Sequence, residues 1–147
     1  MQNISGYGIL ASIIASKTFP VALVFDQFAD DIDPLDIPSI DVADVAMGLN
    51  GDLVSWSKPT PIRATVAVVP GSNSDINLAV LLEANRVGRG KVGARDIITF
   101  TAVYPAGNFI TLQNGAIISG TPASSVASSA RFKSKTYAFA FENRIGA

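Results

Sequence analysis

The chain has 147 residues, of which 48% are hydrophobic and only 16% charged, with a net charge of −1 and a mean hydropathy of +0.36. It contains no Cys and no His, which excludes disulfides, thiolate nucleophiles, Ser-His-Asp triads and nearly every zinc or transition-metal site. A pI near 5.2 argues against a general nucleic-acid binder, and no apolar run approaches the ~20 residues that span a bilayer.

The length suits one domain over residues 1–147, so the excess apolar surface is expected in its core or in subunit contacts. Residues Asn3 to Ser16 mix Gly and Ser with Ile and Leu, and read as a strand or as an arm reaching to a neighbour. The apolar run Ile9–Ala15 has no Lys or Arg before it, the first basic residue being Lys17, so neither an export signal nor a membrane anchor is expected. The sequon Asn3-Ile4-Ser5 is then accidental, because glycosylation requires secretion.

Phe19–Phe25 is β-prone, with Pro20 restricting it to a strand start or a sheet edge. A block without Lys or Arg follows, carrying Asp26, Asp30, Asp31, Asp33, Asp36, Asp41, Asp44 and Asp52. Ile40–Gly48 alternates apolar residues with Asp, and Asn50-Gly51 is a strong hairpin signal, with Asp52–Lys58 returning through Leu53 and Trp56. Pro59 and Pro61 precede a strand over Ile62–Val69.

The one helix is expected over Ser74–Val87, capped by Asn73 or Ser74, with Asp75 near its positive end and Gly88 as the left-handed stop. Its body spans about 20 Å at ~1.5 Å per residue. Ile76, Val80, Ala84 and Val87 form one apolar stripe, and Leu78, Leu81 and Leu82 a second on nearly the opposite side. Either the helix is deeply sunk, or the leucine stripe is covered by another copy of the chain. Gly88-Arg-Gly-Lys-Val-Gly93 matches G-x-G-x-x-G but follows a helix and precedes a strand, the reverse of a dinucleotide site, so a basic loop is expected.

Asp96–Tyr104 alternates as a strand, Phe109–Leu112 follows a Pro-Ala-Gly-Asn turn, and Gln113-Asn114-Gly115 signals a second hairpin returning over Ala116–Thr121. Pro122–Ala130 reads as a Ser/Ala-rich loop. Arg131–Asn143 closes the chain as a strand that sets Tyr137, Phe139 and Phe141 on one core face. The pattern predicts a mainly β fold: an antiparallel β-sandwich or barrel with one flanking helix and a long extended hairpin. Acids crowd before the helix, while Arg86, Arg89, Lys91 and Arg95 crowd after it, so copies could dock head-to-tail into rings or tubes.

The run Arg95-Asp-Ile-Ile-Thr-Phe-Thr-Ala-Val-Tyr-Pro-Ala-Gly-Asn-Phe-Ile-Thr-Leu-Gln-Asn-Gly-Ala-Ile-Ile-Ser-Gly120, the ending Lys135-Thr-Tyr-Ala-Phe-Ala-Phe-Glu142 and the order of elements resemble bacteriophage tail tube proteins of the contractile-tailed type. The resemblance implies a non-enzymatic virion protein without cofactors, assembled in the host cytoplasm into hexameric rings that stack as the inner tail tube. DNA would pass through the lumen without specific binding. The partners implied are further copies of the chain and the tail sheath, baseplate and tail terminator proteins, with no membrane anchor. Related folds occur in baseplate tube initiators and secretion-system tubes, which stand as the alternative role. The interface candidates are Asp30, Asp31, Asp33, Asp36, Trp56, Leu78, Leu81, Leu82, Arg86, Arg89, Lys91 and Arg95, with the Asp41–Lys58 hairpin as the arm to a neighbouring ring.

Two rivals remain. The cluster Asp30, Asp31, Asp33 and Asp36 could hold Ca²⁺ or act as paired carboxylates, although it lacks the D-x-D-x-D-G pattern. A monomeric β-barrel carrying an apolar ligand would also account for the hydropathy.

Overall fold

The computed structural model describes residues 2, 4–25 and 27–146; Asn3 of the sequon and Asp26 of the acidic block lie outside them. Nine strands and one helix follow in the order β1 (Leu10–Ala15), β2 (Phe19–Phe25), β3 (Leu35–Asp36), β4 (Ala43–Met47), β5 (Leu53–Ser57), β6 (Ile62–Val68), α1 (Asn73–Asn85), β7 (Ile98–Val103), β8 (Phe109–Gly120) and β9 (Lys135–Gly146). Seven strands form one antiparallel sheet in the order β2-β1-β7-β8-β9-β6-β3, and β4 and β5 pair only with each other.

The large sheet curls until its two sides meet. Residues 27–29, just past β2, run along β6 on the side that β3 also pairs: the Ala29 amide donates to the Ala67 carbonyl (3.0 Å) and the Val69 amide to the Gln27 carbonyl (3.1 Å). Phe28 lies opposite Val68 in this pairing. The result is a near-barrel, in which β3 and residues 27–29 cover the side of β6 that an open sheet would leave as an edge.

Period-two alternation decides what fills it. Ala11, Ile13 and Ala15 of β1, Ala64, Val66 and Val68 of β6, Ile98, Phe100 and Ala102 of β7, and Tyr137, Phe139 and Phe141 of β9 are all buried. The rings of Phe100 and Phe139 each approach Phe141, with centroids 6.2 Å apart in both pairs. Aromatic side chains therefore occupy the interior that a ligand carrier would keep open.

The helix lies on the flank of this core, with Leu78 and Leu81 fully buried in it and Leu82 half-buried beside them. Ser72, not Asn73 or Ser74, is the N-cap: its Oγ accepts from the Asp75 amide (3.2 Å), while the Asp75 carboxylate accepts from the Gly71 amide (2.9 Å). This is a capping box shifted one residue outward. The C-terminus is also earlier than expected, because Arg86 leaves the helix with extended dihedrals; the left-handed residues downstream are Gly90 and Arg95, not Gly88.

The predicted hairpin at Gln113-Asn114-Gly115 is absent. β8 runs unbroken through it, with Asn114 at φ +53° marking a register shift against β7. The first hairpin is present as expected, with Gly51 at φ +88° in its turn.

Candidate assembly interface

The β4–β5 hairpin stands apart from the core. All ten of its strand residues are exposed or half-exposed, and its ion pair, Lys58 Nζ to Asp44 Oδ2 at 3.0 Å, is internal. Its register places Val45, Met47 and Leu53 on one face, and Val54 and Trp56 on the other. Trp56 is half-exposed on this hairpin, not packed in the chain's own core. A two-stranded ribbon is marginal in water on its own, and apolar side chains on both faces leave it two surfaces to cover.

The helix corrects the assignment of its stripes. Leu78 and Leu81, proposed for subunit contact, are inaccessible to any partner because the chain's own sheet covers them. The outward stripe is the other one, with Ile76 and Val80 exposed on the helix and Val87 exposed just past its end. Both stripes were legible as apolar, but equal hydrophobicity on two sides gives no direction. The direction comes from polar contacts, made by two carboxylates, that sequence reasoning missed.

One is Asp75, buried at the helix N-terminus, where Tyr137 Oη donates to Oδ1 (2.9 Å) and Lys135 Nζ pairs with Oδ2 (3.3 Å). Burial and the Asp75 carboxylate push the Tyr137 hydroxyl well above its ordinary value. The available signal was that Lys135 shares the inward phase of Tyr137, Phe139 and Phe141, and an inward Lys needs an acid. The other is Asp96. It accepts from the amides of Lys17 (2.8 Å) and Thr18 (3.0 Å), from the Thr18 hydroxyl and from Asn85 Nδ2 (2.9 Å), while Asn85 Oδ1 accepts from the Asp96 amide (2.9 Å). These two nodes pin the helix at both ends and turn its leucines inward.

The charged candidates divide in two. Asp30 is held by Arg131 in a two-pronged contact (3.1 and 3.2 Å), and Asp31 accepts from the Ser134 hydroxyl. Arg86 and Lys91 both pair with Glu83, at 2.9 and 3.4 Å; chiefly through the Arg86 hydrogen bond, the Glu83 carboxyl is held down to about 2. These side chains are engaged within the chain, so they are poor candidates for ion pairs between subunits. Among the described residues, Asp33, Asp36, Arg89 and Arg95 take part in no ion pair. Among those residues, too, no three acidic side chains gather as a cation would require. The basic G-x-G-x-x-G run folds as a tight turn, Gly88 pairing with Lys91, and Lys91 Nζ donates to the carbonyls of Glu83 and Arg86. The lysine that a phosphate would need is thus spent on the helix end.

The fold is shared with chains of contractile assemblies. A chain in the six-fold-symmetrised baseplate of the anti-feeding prophage superposes with a TM-score of 0.59 at 8% identity, covering 100% of this chain and 97% of that one. A chain in the extended sheath–tube complex of the PVC extracellular contractile injection system gives 0.58 at 15% identity, covering 99% and 91%. A chain in the sheath/tube terminator of the same system gives 0.54 at 17% identity, covering 100% and 98%. At these identities the likeness is one of fold. No curated protein matches the sequence. Residues 2–145 match the family model described as tail fiber protein gp32, and the chain belongs to that family.

Proposed function

We propose that this protein is a non-catalytic structural subunit of a contractile tail, assembling with copies of itself around the tail axis in the tube–baseplate region. The observation that carries the reading is the β4–β5 hairpin, which presents Val45, Met47 and Leu53 on one face and Val54 and Trp56 on the other, each at least half exposed among the described residues. Surface of that kind marks an interaction site. The shared fold with baseplate, tube and terminator chains and the membership of a tail protein family support the same reading.

Of the positions in such an assembly, a ring at the baseplate end, from which a tube starts, fits best. A family described by a tail fibre fits the baseplate end of a tail more closely than the repeating tube. The repeating tube subunit, in stacked hexameric rings around a DNA-conducting lumen, is the second reading, supported by the likeness to a chain of the sheath–tube complex. Negative-stain electron microscopy over a range of concentration and salt separates them. Six-fold rings that stop after one or a few layers are expected for the baseplate role, and long hollow tubes for the second. A uniform monomer that co-purifies with a small apolar ligand would overturn both.

A further inference from the structure

The outward face of the helix carries a second surface that the chain leaves uncovered. On the helix Ile76 is 54% exposed and Val80 50%, and Val87, two residues past its end, is 72% exposed. The Gly88–Lys91 pairing then folds the chain back, which sets Val92, 81% exposed, across from Val87 at the C-terminal end of the helix. β-Branched residues at solvent-facing helix positions lower helix propensity and leave apolar surface in water, so neither local structure nor solvation favours them there. A covering partner does.

The charges at the two ends of this stripe say what covers it. The Asn73 amide donates to Gln27 Oε1 (3.1 Å). This contact and the pairing of residues 27–29 along β6 hold the Asp30–Asp36 loop beside the helix N-terminus. The acids there outnumber Arg131, Lys133 and Lys135 even though Asp30 is already paired. At the other end Arg86 and Lys91 are already on Glu83, and Arg89, Arg95 and Lys17 still outnumber Asp96. Two such helices side by side in parallel would set acid on acid and base on base. Antiparallel, they set the acidic end of each against the basic end of the other, twice, and oppose the two helix dipoles favourably.

We propose that two copies of this chain pair antiparallel across a two-fold axis through the Ile76–Val80–Val87–Val92 stripe, with the acidic loop of each facing the basic turn of the other. The four side chains leave on the order of 400 Å² exposed per copy, about half of what one partner gives to a standard interface, so the pairing is weak and reversible. It rests on this chain's own surface and not on the tail reading. An isologous pair is also distinct from the head-to-tail contacts that close a ring.

The chain has no Cys, so single-cysteine variants at exposed positions give clean cross-linking. Under mild oxidation, an equimolar mixture of Ile76→Cys and Val87→Cys should give a disulfide dimer at least tenfold faster than either variant alone. Ala106→Cys, in the exposed turn between β7 and β8 at the far end of β8 from the helix, should stay monomeric. Sedimentation of the unmodified protein should show a dimer growing in from about 10 µM to 1 mM and receding with added salt. Val80→Asp should keep the same circular dichroism and melting temperature but weaken the dimer at least tenfold. Cross-linking of Ile76→Cys with itself as readily as with Val87→Cys would mean parallel packing and overturn the proposal. So would cross-linking of Ala106→Cys at the same rate, or an unmodified protein that stays monomeric throughout. Rings seen by microscopy without the mixed disulfide would reject this pairing and leave the tail role standing; the disulfide without rings would do the reverse.

Discussion

Asp96 shows how one carboxylate can set the position of three segments. Burial by itself would raise its pKa, but hydrogen bonds from Thr18, from Asn85 and from the Lys17 and Thr18 amides outweigh that and hold it below the ordinary 3.8. A carboxyl depressed in the folded state adds stability that is fully present above the ordinary value and is lost as pH falls through the folded-state value. Asp96→Asn should therefore cost on the order of 1–3 kcal/mol at pH 7. Its deficit relative to the native protein should shrink as pH falls below 3.8. Asp30 and Glu83 are also depressed, but they titrate in both proteins and cancel in the comparison. Urea midpoints at pH 7, 4 and 3 measure it, and a deficit that stays constant with pH would mean that Asp96 acts through packing, not charge. Little of this was legible in the sequence. Asp96 precedes a strand like any loop acid, and its partners Lys17 and Thr18 lie 79 and 78 residues away.

At the scale of elements, legibility followed the strength of the local signal. Phe19–Phe25 matched β2, and Tyr137, Phe139 and Phe141 took the core face that their alternation required. The failure at Asn114-Gly115 is instructive, because its dipeptide is the same as Asn50-Gly51. At Asn50-Gly51 no other strand competes for the backbone, and the chain turns. At Asn114-Gly115 the flanking residues pair with β9 on one side and, across a register shift, with β7 on the other, and two ladders outweigh a local turn preference. Asn114 keeps its left-handed backbone as a kink, and Gly115 serves a different need. A Cβ there would sit 2.2 Å from Phe141 Cδ1 and 2.8 Å from the Ala140 carbonyl oxygen. Gly115→Ala should thus destabilise the fold by about 1–3 kcal/mol through overpacking, with Phe141→Leu in the same chain recovering part of the loss. Gly51→Ala, with open space around its Cβ, should show only the strain of its positive φ. Equal unfolding midpoints for Gly115→Ala and the native protein would show that β8 can shift away from β9 at no cost.

For the whole molecule, what matters is how much apolar surface folding leaves outside. The core accounts for one part of the high hydropathy, and the hairpin and the outward helix stripe account for another. Composition announced the excess, but whether Trp56 belonged inside or outside depended on a hairpin whose two strands, among the described residues, form a sheet of their own. Trp56 is the only tryptophan, so its fluorescence reports this surface without interference. Half-exposed in the free chain, it should emit as a partly hydrated indole and shift to shorter wavelength when subunits assemble and the hairpin is covered. Trp56→Ala should leave the unfolding free energy within about 0.5 kcal/mol, because the residue contributes nothing to the core. The concentration needed for assembly should rise roughly tenfold or more, as expected for a tryptophan at the centre of an interface. The two readouts separate a folding role from an assembly role. A large loss of stability would place Trp56 in the fold's own packing. An unchanged emission maximum across assembly would mean that the hairpin stays in water, and the surface that carries the tail reading would then have to be sought elsewhere on the chain.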